Sequence, residues 1–174
     1  MGLTKEDMDQ IRAEIAANLR AQPPRKKQVH TNWEKNMIRE YIAMRYGNKL
    51  TIFNARVGAI PEERKKEMYK FLRRWADAIV VTRDEIIVIE GKMRPNPGVI
   101  SQLQLYMREL HNTPEFEEYK DLPIRGVIVA AMGDTTVEAM AIEAGLDFEV
   151  FKPSFFDAWE EMRINGYAKR ASTG

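Results

Sequence analysis

The stretch Trp75-Ala-Asp-Ala-Ile-Val-Val-Thr-Arg-Asp-Glu-Ile-Ile-Val-Ile-Glu-Gly-Lys92 decides how the rest of the chain is read. Two β-branched runs, Asp77 to Val81 and Glu85 to Met93, flank a tight Thr82-Arg83-Asp84 connection, which predicts an antiparallel hairpin. Alternation along the second strand puts Val88, Glu90 and Lys92 on one face and Ile87, Ile89 and Gly91 on the other. Glu90 and Lys92 therefore point the same way at the strand's C-terminal end. Asp77 comes from the neighbouring strand, and the sequence leaves the hairpin register open.

An acid and a lysine closing an Ile-Ile-Val-Ile run sit where burial is costly unless they serve a metal or each other. The plain alternative is a solvated Glu–Lys pair with Asp77 as a turn acid, since E-x-K alone is common in charged proteins. The apolar context favours a site. Carboxylates at the ends of paired strands are hard oxygen ligands of the kind that suit Mg²⁺ or Mn²⁺. Such a metal lowers the pKa of its water and polarises a phosphate, and Lys92 could orient that water or stabilise developing charge. Gly91 is expected to let a backbone or phosphate come close.

Upstream, Met8, Ile11, Ile15 and Leu19 recur at helical spacing behind a Thr4–Asp7 capping signal, predicting a helix over 4–20. Its narrow apolar stripe suits docking on a partner or on the domain body. A basic, proline-broken linker occupies 22–28. A second helix is expected over 31–46, stopping near Gly47, then a strand over 49–59 and a charged helix from Glu62 to Arg74. Downstream, Arg94-Pro-Asn-Pro-Gly98 breaks the chain before a helix over 99–111. Ile124 to Ala131 reads as a strand buried on both faces. A helix near 134–144, a strand near 147–151 and a helix near 154–165 follow, with a frayed tail from Tyr167. The order predicts an α/β layered domain around a mixed sheet.

The chain has 174 residues, enough for one substantial core, and a net charge of +1 that gives no global case for a polyanionic partner. It contains no cysteine, which excludes disulfides, thiolate zinc sites and cysteine-held iron–sulfur clusters. The polar, acidic N-terminus is unlike a signal peptide, and no apolar run is long enough to span a bilayer. A cytoplasmic protein with no membrane partner is expected. The two histidines lack metal-ligand spacing, and no glycine loop cradles a phosphate.

Asp77 and Glu90-Gly91-Lys92 resemble the motif of the PD-(D/E)xK nuclease superfamily, whose core is an αβββαβ layer. Gln102-Leu-Gln-Leu-Tyr106 is similar to the Q-x-x-x-Y motif of its RecB-like and CRISPR-associated exonuclease branch. Ala76 stands where the motif proline would be, and the charged segment 61–74 intrudes between the first two core strands. The resemblance implies a restriction-endonuclease-like fold over 29–166, after the helix and linker of 1–28 and before a flexible tail, 167–174. The central sheet would be mixed and flanked by helices, with a C-terminal α-β-α extension.

In site terms the resemblance implies catalytic Asp77, Glu90, Lys92, Gln102 and Tyr106, with Mg²⁺ or Mn²⁺ held by Asp77, Glu90 and a helix acid. Glu34 is the first candidate for that acid and Glu40 the second. His30 could imitate a histidine of some relatives but reads better as a surface residue. Gln102 and Tyr106, four apart, share a helix face.

Arg73, Arg74 and Arg94 are the expected phosphate contacts, together with the basic runs at 25–27 and 64–66, and no element looks built to read bases. Trp33, Trp75 and Trp159 are expected in the core. The expected function is hydrolysis of DNA, single-stranded or at duplex ends, in DNA processing, recombination or defence. A protein partner or self-association through helix 4–20 is a further expectation. A non-catalytic assembly or nucleic-acid-binding protein on the same fold is the main alternative, and RNA as substrate a third.

Overall fold

Ile86–Lys92 (β3) is the middle strand of the sheet, and all but its last residue are buried. Its β-branched residues pack on both pleat faces, each fully buried aliphatic side chain contributing roughly 1.5–3 kcal/mol. Leu50–Val57 (β1) and Arg74–Val81 (β2) join β3 as an antiparallel meander. Ile124–Ala130 (β4) and Asp147–Val150 (β5) continue the sheet in parallel, giving the order β1-β2-β3-β4-β5. The result is the expected mixed α/β sheet flanked by helices. The computed structural model describes residues 32–59 and 73–171, with side chains described as far as Gly166. These described residues belong to one compact unit.

Trp33–Arg45 (α1) covers one sheet face. Its Met37, Ile38, Tyr41 and Ile42 pack with Ala78, Val80, Ile87 and Ile89. Asn32 caps it by accepting from the Lys35 N–H at 3.1 Å, and Gly47 follows at φ +51°. Gly98–Leu110 (α2) covers the other face, setting Val99, Leu103 and Tyr106 against Ile79 and Val88. Thr135–Glu143 (α3) adds Val137 and Ala141 on the α2 side. Phe156–Ala171 (α4) adds Phe156 and Trp159 on the α1 side. The connection over Thr82–Glu85 is closed by the Thr82 hydroxyl, which accepts from the N–H groups of Asp84 and Glu85.

Two expectations need correction, and one element was not expected. Arg74 does not end a helix but opens β2, opposite Val57. The last helix continues to Ala171 instead of stopping near 165, because a single Gly166 costs only about 1 kcal/mol against alanine. Pro114–Tyr119 forms a 3₁₀ helix that the sequence did not announce, driving Phe116 into the α2-side core. The helix expected over 4–20, the linker at 22–28, His30 and the charged segment over 60–72 lie outside the described residues. Among the described residues no helix is long and apolar enough to cross a membrane.

Candidate active site at the parting of two strands

The β2–β3 ladder runs from Val81↔Ile86 to Ala78↔Ile89 and ends there. Asp77 and Glu90, next in line, are not paired. On its other side β3 stays paired to β4 as far as Lys92↔Ala130. Asp77 is also skipped in the β1–β2 ladder, which passes from Phe53↔Ala78 to Ala55↔Ala76 across Asn54 at φ +48°. Asparagine tolerates that left-handed conformation better than most residues. The side-chain alternation resets at this point: Ala78 and Val80 face α1, whereas Ala76 joins Ile79 and Val81 on the α2 side. Asp77 thus sits in a gap between strands, where its Oδ2 accepts the Gly91 N–H at 2.9 Å.

Glu90 and Lys92 share the α2 face, as alternation requires. Glu90 is only 2% exposed. Its Oε1 accepts from Lys92 Nζ at 2.8 Å and from Gln102 Nε2 at 2.7 Å. Gln102 Nε2 also lies 2.7 Å from the Tyr106 hydroxyl, so the two residues one turn apart on α2 meet beside Glu90. Oε2 of Glu90 is buried with no hydrogen-bond partner in the protein.

Burial pushes the Glu90 carboxyl up to about 7, and the Asp77 charge adds to the rise, while Lys92 only partly offsets it. For Lys92, burial pulls downward, but the hydrogen bond to Glu90 and the charges of Glu90, Glu34 and Asp77 outweigh it and raise the ammonium above its ordinary value. Burial likewise raises the Tyr106 hydroxyl.

Glu34 reaches the same region from α1, its Oε1 accepting the Met93 N–H at 3.3 Å. Glu40 is occupied elsewhere, accepting from the Ser154 N–H and hydroxyl at 2.7 Å each. Among the described residues no three His, Cys, Asp or Glu side chains converge closely enough to hold a metal. Of the expected set, Glu34 and Asp77 each accept a backbone N–H, while Glu90 accepts from Lys92 and Gln102. Two features still fit a hard divalent cation. Asp77 and Glu90 repel one another, and the buried Oε2 of Glu90 lacks a donor.

Gly91 has a different role from the one expected. A Cβ there would lie 2.6 Å from Ile38 Cγ1 and 3.3 Å from Met37 Cε, so the close neighbour is α1 and not a phosphate. Arg73, expected at nucleic acid, is buried. It forms a two-pronged pair with Glu115 at 2.8 Å and donates to the Arg56 carbonyl at 2.9 Å. Arg74 and Arg94 are exposed. Trp75, expected in the core with Trp33 and Trp159, is 50% exposed. Lys35 and Asn54, which sequence reasoning passed over, line a hollow next to Asp77. Only the position of Lys35, directly after Glu34, could have signalled this.

No family model matches this chain, and no curated protein matches it in sequence. Two solved structures are similar to it. One is a repair endonuclease from Pyrococcus abyssi, 20% identical, with a TM-score of 0.41 over 67% of this chain and 46% of that one. The other is an EndoMS-dsDNA2 complex, 20% identical, with a TM-score of 0.42 over 69% of this chain and 45% of that one. The chain spans a little under half the length of each.

Proposed function

We propose that this chain is a metal-dependent nuclease hydrolysing DNA phosphodiesters, with single strands or duplex ends as substrate. The observation that carries this proposal is the convergence of Glu90, Lys92 and Gln102 through hydrogen bonds of 2.7–2.8 Å, with Asp77 in the strand gap beside them. Mg²⁺ or Mn²⁺ held by Asp77 and Glu90 would supply Lewis-acid chemistry at a phosphate oxygen and a more acidic water. The Lys92 ammonium would donate to the attacking water or to a phosphoryl oxygen as charge develops there. Gln102 fixes the Glu90 rotamer and Tyr106 backs Gln102, so the carboxylate is held without reorganisation. Glu34 anchors the backbone just past Lys92 at Met93. Arg94, exposed two residues beyond Lys92, and Arg74 serve as phosphate contacts.

The test is cleavage of end-labelled single- and double-stranded DNA with Mg²⁺ or Mn²⁺, comparing wild type with Lys92→Ala and Glu90→Gln. Metal-dependent cutting lost in both variants supports the nuclease, and the product ladder distinguishes ends from internal sites. A folded wild type that binds DNA but cuts nothing, even with Mn²⁺, supports the second reading, a non-catalytic nucleic-acid-binding protein. That reading is favoured by one observation, the engagement of Asp77, Glu90 and Glu34 by partners within the chain.

A further inference from the structure

Beside Asp77 lies a hollow of about 380 Å³, lined among the described residues by Lys35, Asn54, Trp75, Ala76 and Asp77. Trp75 is unusual for a strand tryptophan because half its surface is exposed. The Arg56 guanidinium lies over its ring at 4.5 Å from the centroid, which fixes the indole without burying it. A second aromatic–cation couple follows on the same strand pair. Phe53, 38% exposed, has the Arg39 guanidinium 5.9 Å from its ring centroid. Lys35 and Arg39 are four apart on α1 and so share a helix face. Lys35 and Arg39 thus add to Arg56 as cations near Trp75 and Phe53, and the hollow lined by Lys35 and Trp75 reaches Asp77.

Aromatics interleaved with cations are the chemistry that holds single-stranded nucleic acid: bases stack on rings whatever their sequence, and phosphates meet ammonium and guanidinium groups. The bases of an intact duplex are stacked on one another, so an exposed indole suits an unpaired base better. We infer that the hollow receives an unpaired base stacked on Trp75, with the adjoining phosphates on Lys35 and Arg39. This inference rests on the nuclease reading for the position of the scissile bond, and it narrows the substrate to a single strand or a frayed end.

The experiment is fluorescence anisotropy with a labelled single-stranded oligodeoxynucleotide and the full chain in EDTA, each base in turn replaced by an abasic residue. Wild type is expected to lose about tenfold in affinity when one particular base is removed. Trp75→Ala should bind the intact strand about tenfold more weakly and be indifferent to that abasic position. Trp75→Phe, which keeps a ring and the fold, should restore most of the discrimination. Equal affinity of wild type and Trp75→Ala, or the same abasic profile in both, would overturn the platform, as would no binding of single strands by wild type.

Cleavage in Mg²⁺ separates this inference from the nuclease proposal. Cutting by wild type and Trp75→Ala with no abasic discrimination leaves the nuclease and removes the platform. Abasic discrimination without cutting does the reverse.

Discussion

Gln102 and Glu90 meet across the packing of α2 on β3, the amide Nε2 donating to Oε1 at 2.7 Å. The same oxygen holds Lys92. The amide is therefore part of the carboxylate's support, and its removal should show in rate before it shows in fold. Gln102→Ala is expected to lower kcat/KM on single-stranded DNA by roughly tenfold, the size of one lost hydrogen bond to a charged group. Gln102→Glu should be worse, because it places a like charge beside Glu90. Cleavage rates alongside thermal melting would separate the two effects.

Glu90 links stability and activity to pH in opposite directions. Its carboxyl rises from about 4.5 to about 7 on folding. Between those values the folded protein keeps a proton that the unfolded chain has released. The stabilisation is full below about 4.5 and is lost as pH climbs through about 7, on the order of 3 kcal/mol in all. Metal binding, which needs the ionised carboxylate, should instead strengthen as pH rises through this range, and cleavage with it. Glu90→Gln should flatten the stability profile measured by urea unfolding. Asp77→Asn removes the neighbouring charge and should move the stability loss to lower pH. An unchanged profile in Glu90→Gln would refute the assignment.

Gly91→Ala should destabilise by about 1–3 kcal/mol, because its Cβ would meet Ile38 Cγ1 at 2.6 Å and Cδ1 at 2.8 Å. Ile38 is β-branched and cannot swing aside freely. Shortening the opposing side chain in Gly91→Ala/Ile38→Val should recover part of the loss. Thermal melting of the single and double variants checks this as a coupled pair.

Arg73 and Glu115 form a structural pair, the arginine side chain 5% exposed and the glutamate 52%. Breaking it from either end should cost about 2–4 kcal/mol, somewhat under a fully buried pair because Glu115 can regain water. Glu115→Ala strands a buried guanidinium whose Nε already lacks a partner, so it should be at least as harmful as Arg73→Gln. DNA affinity at fixed salt should be unchanged in Arg73→Gln. A steep drop in affinity with unchanged melting would restore the nucleic-acid role.

Arg94 offers the contrast. It is exposed, so Arg94→Ala should leave melting within about 0.5 kcal/mol of wild type while weakening DNA binding across sequences. Titrations over a range of salt should show the slope reduced by about one contact. A salt slope identical to wild type would remove Arg94 from the interface.

Several features were legible along the chain because they follow from local backbone geometry. A strand period of two sets Glu90 and Lys92 on one face. A helical turn brings Gln102 and Tyr106 together. Runs such as Ile-Ile-Val-Ile and Val-Ile-Val have few fates other than central strands. These rules act between residues a few positions apart, so element order, sheet class and the candidate pair emerged directly from the sequence.

Other features depend on which distant segments meet, and only the tertiary structure decided them. Both ladders are interrupted at Asp77, and Asn54, opposite it on another strand, is left-handed. Gly91 faces Ile38 because α1 packs on that side of β3. Arg73 is buried because Glu115, 42 residues on, arrives on a 3₁₀ turn. Trp75 is left half in solvent by the same reset of alternation that opens the hollow beside Asp77. Long-range packing, and not residue type, turned one expected phosphate contact into a structural ion pair and one expected core residue into a surface aromatic.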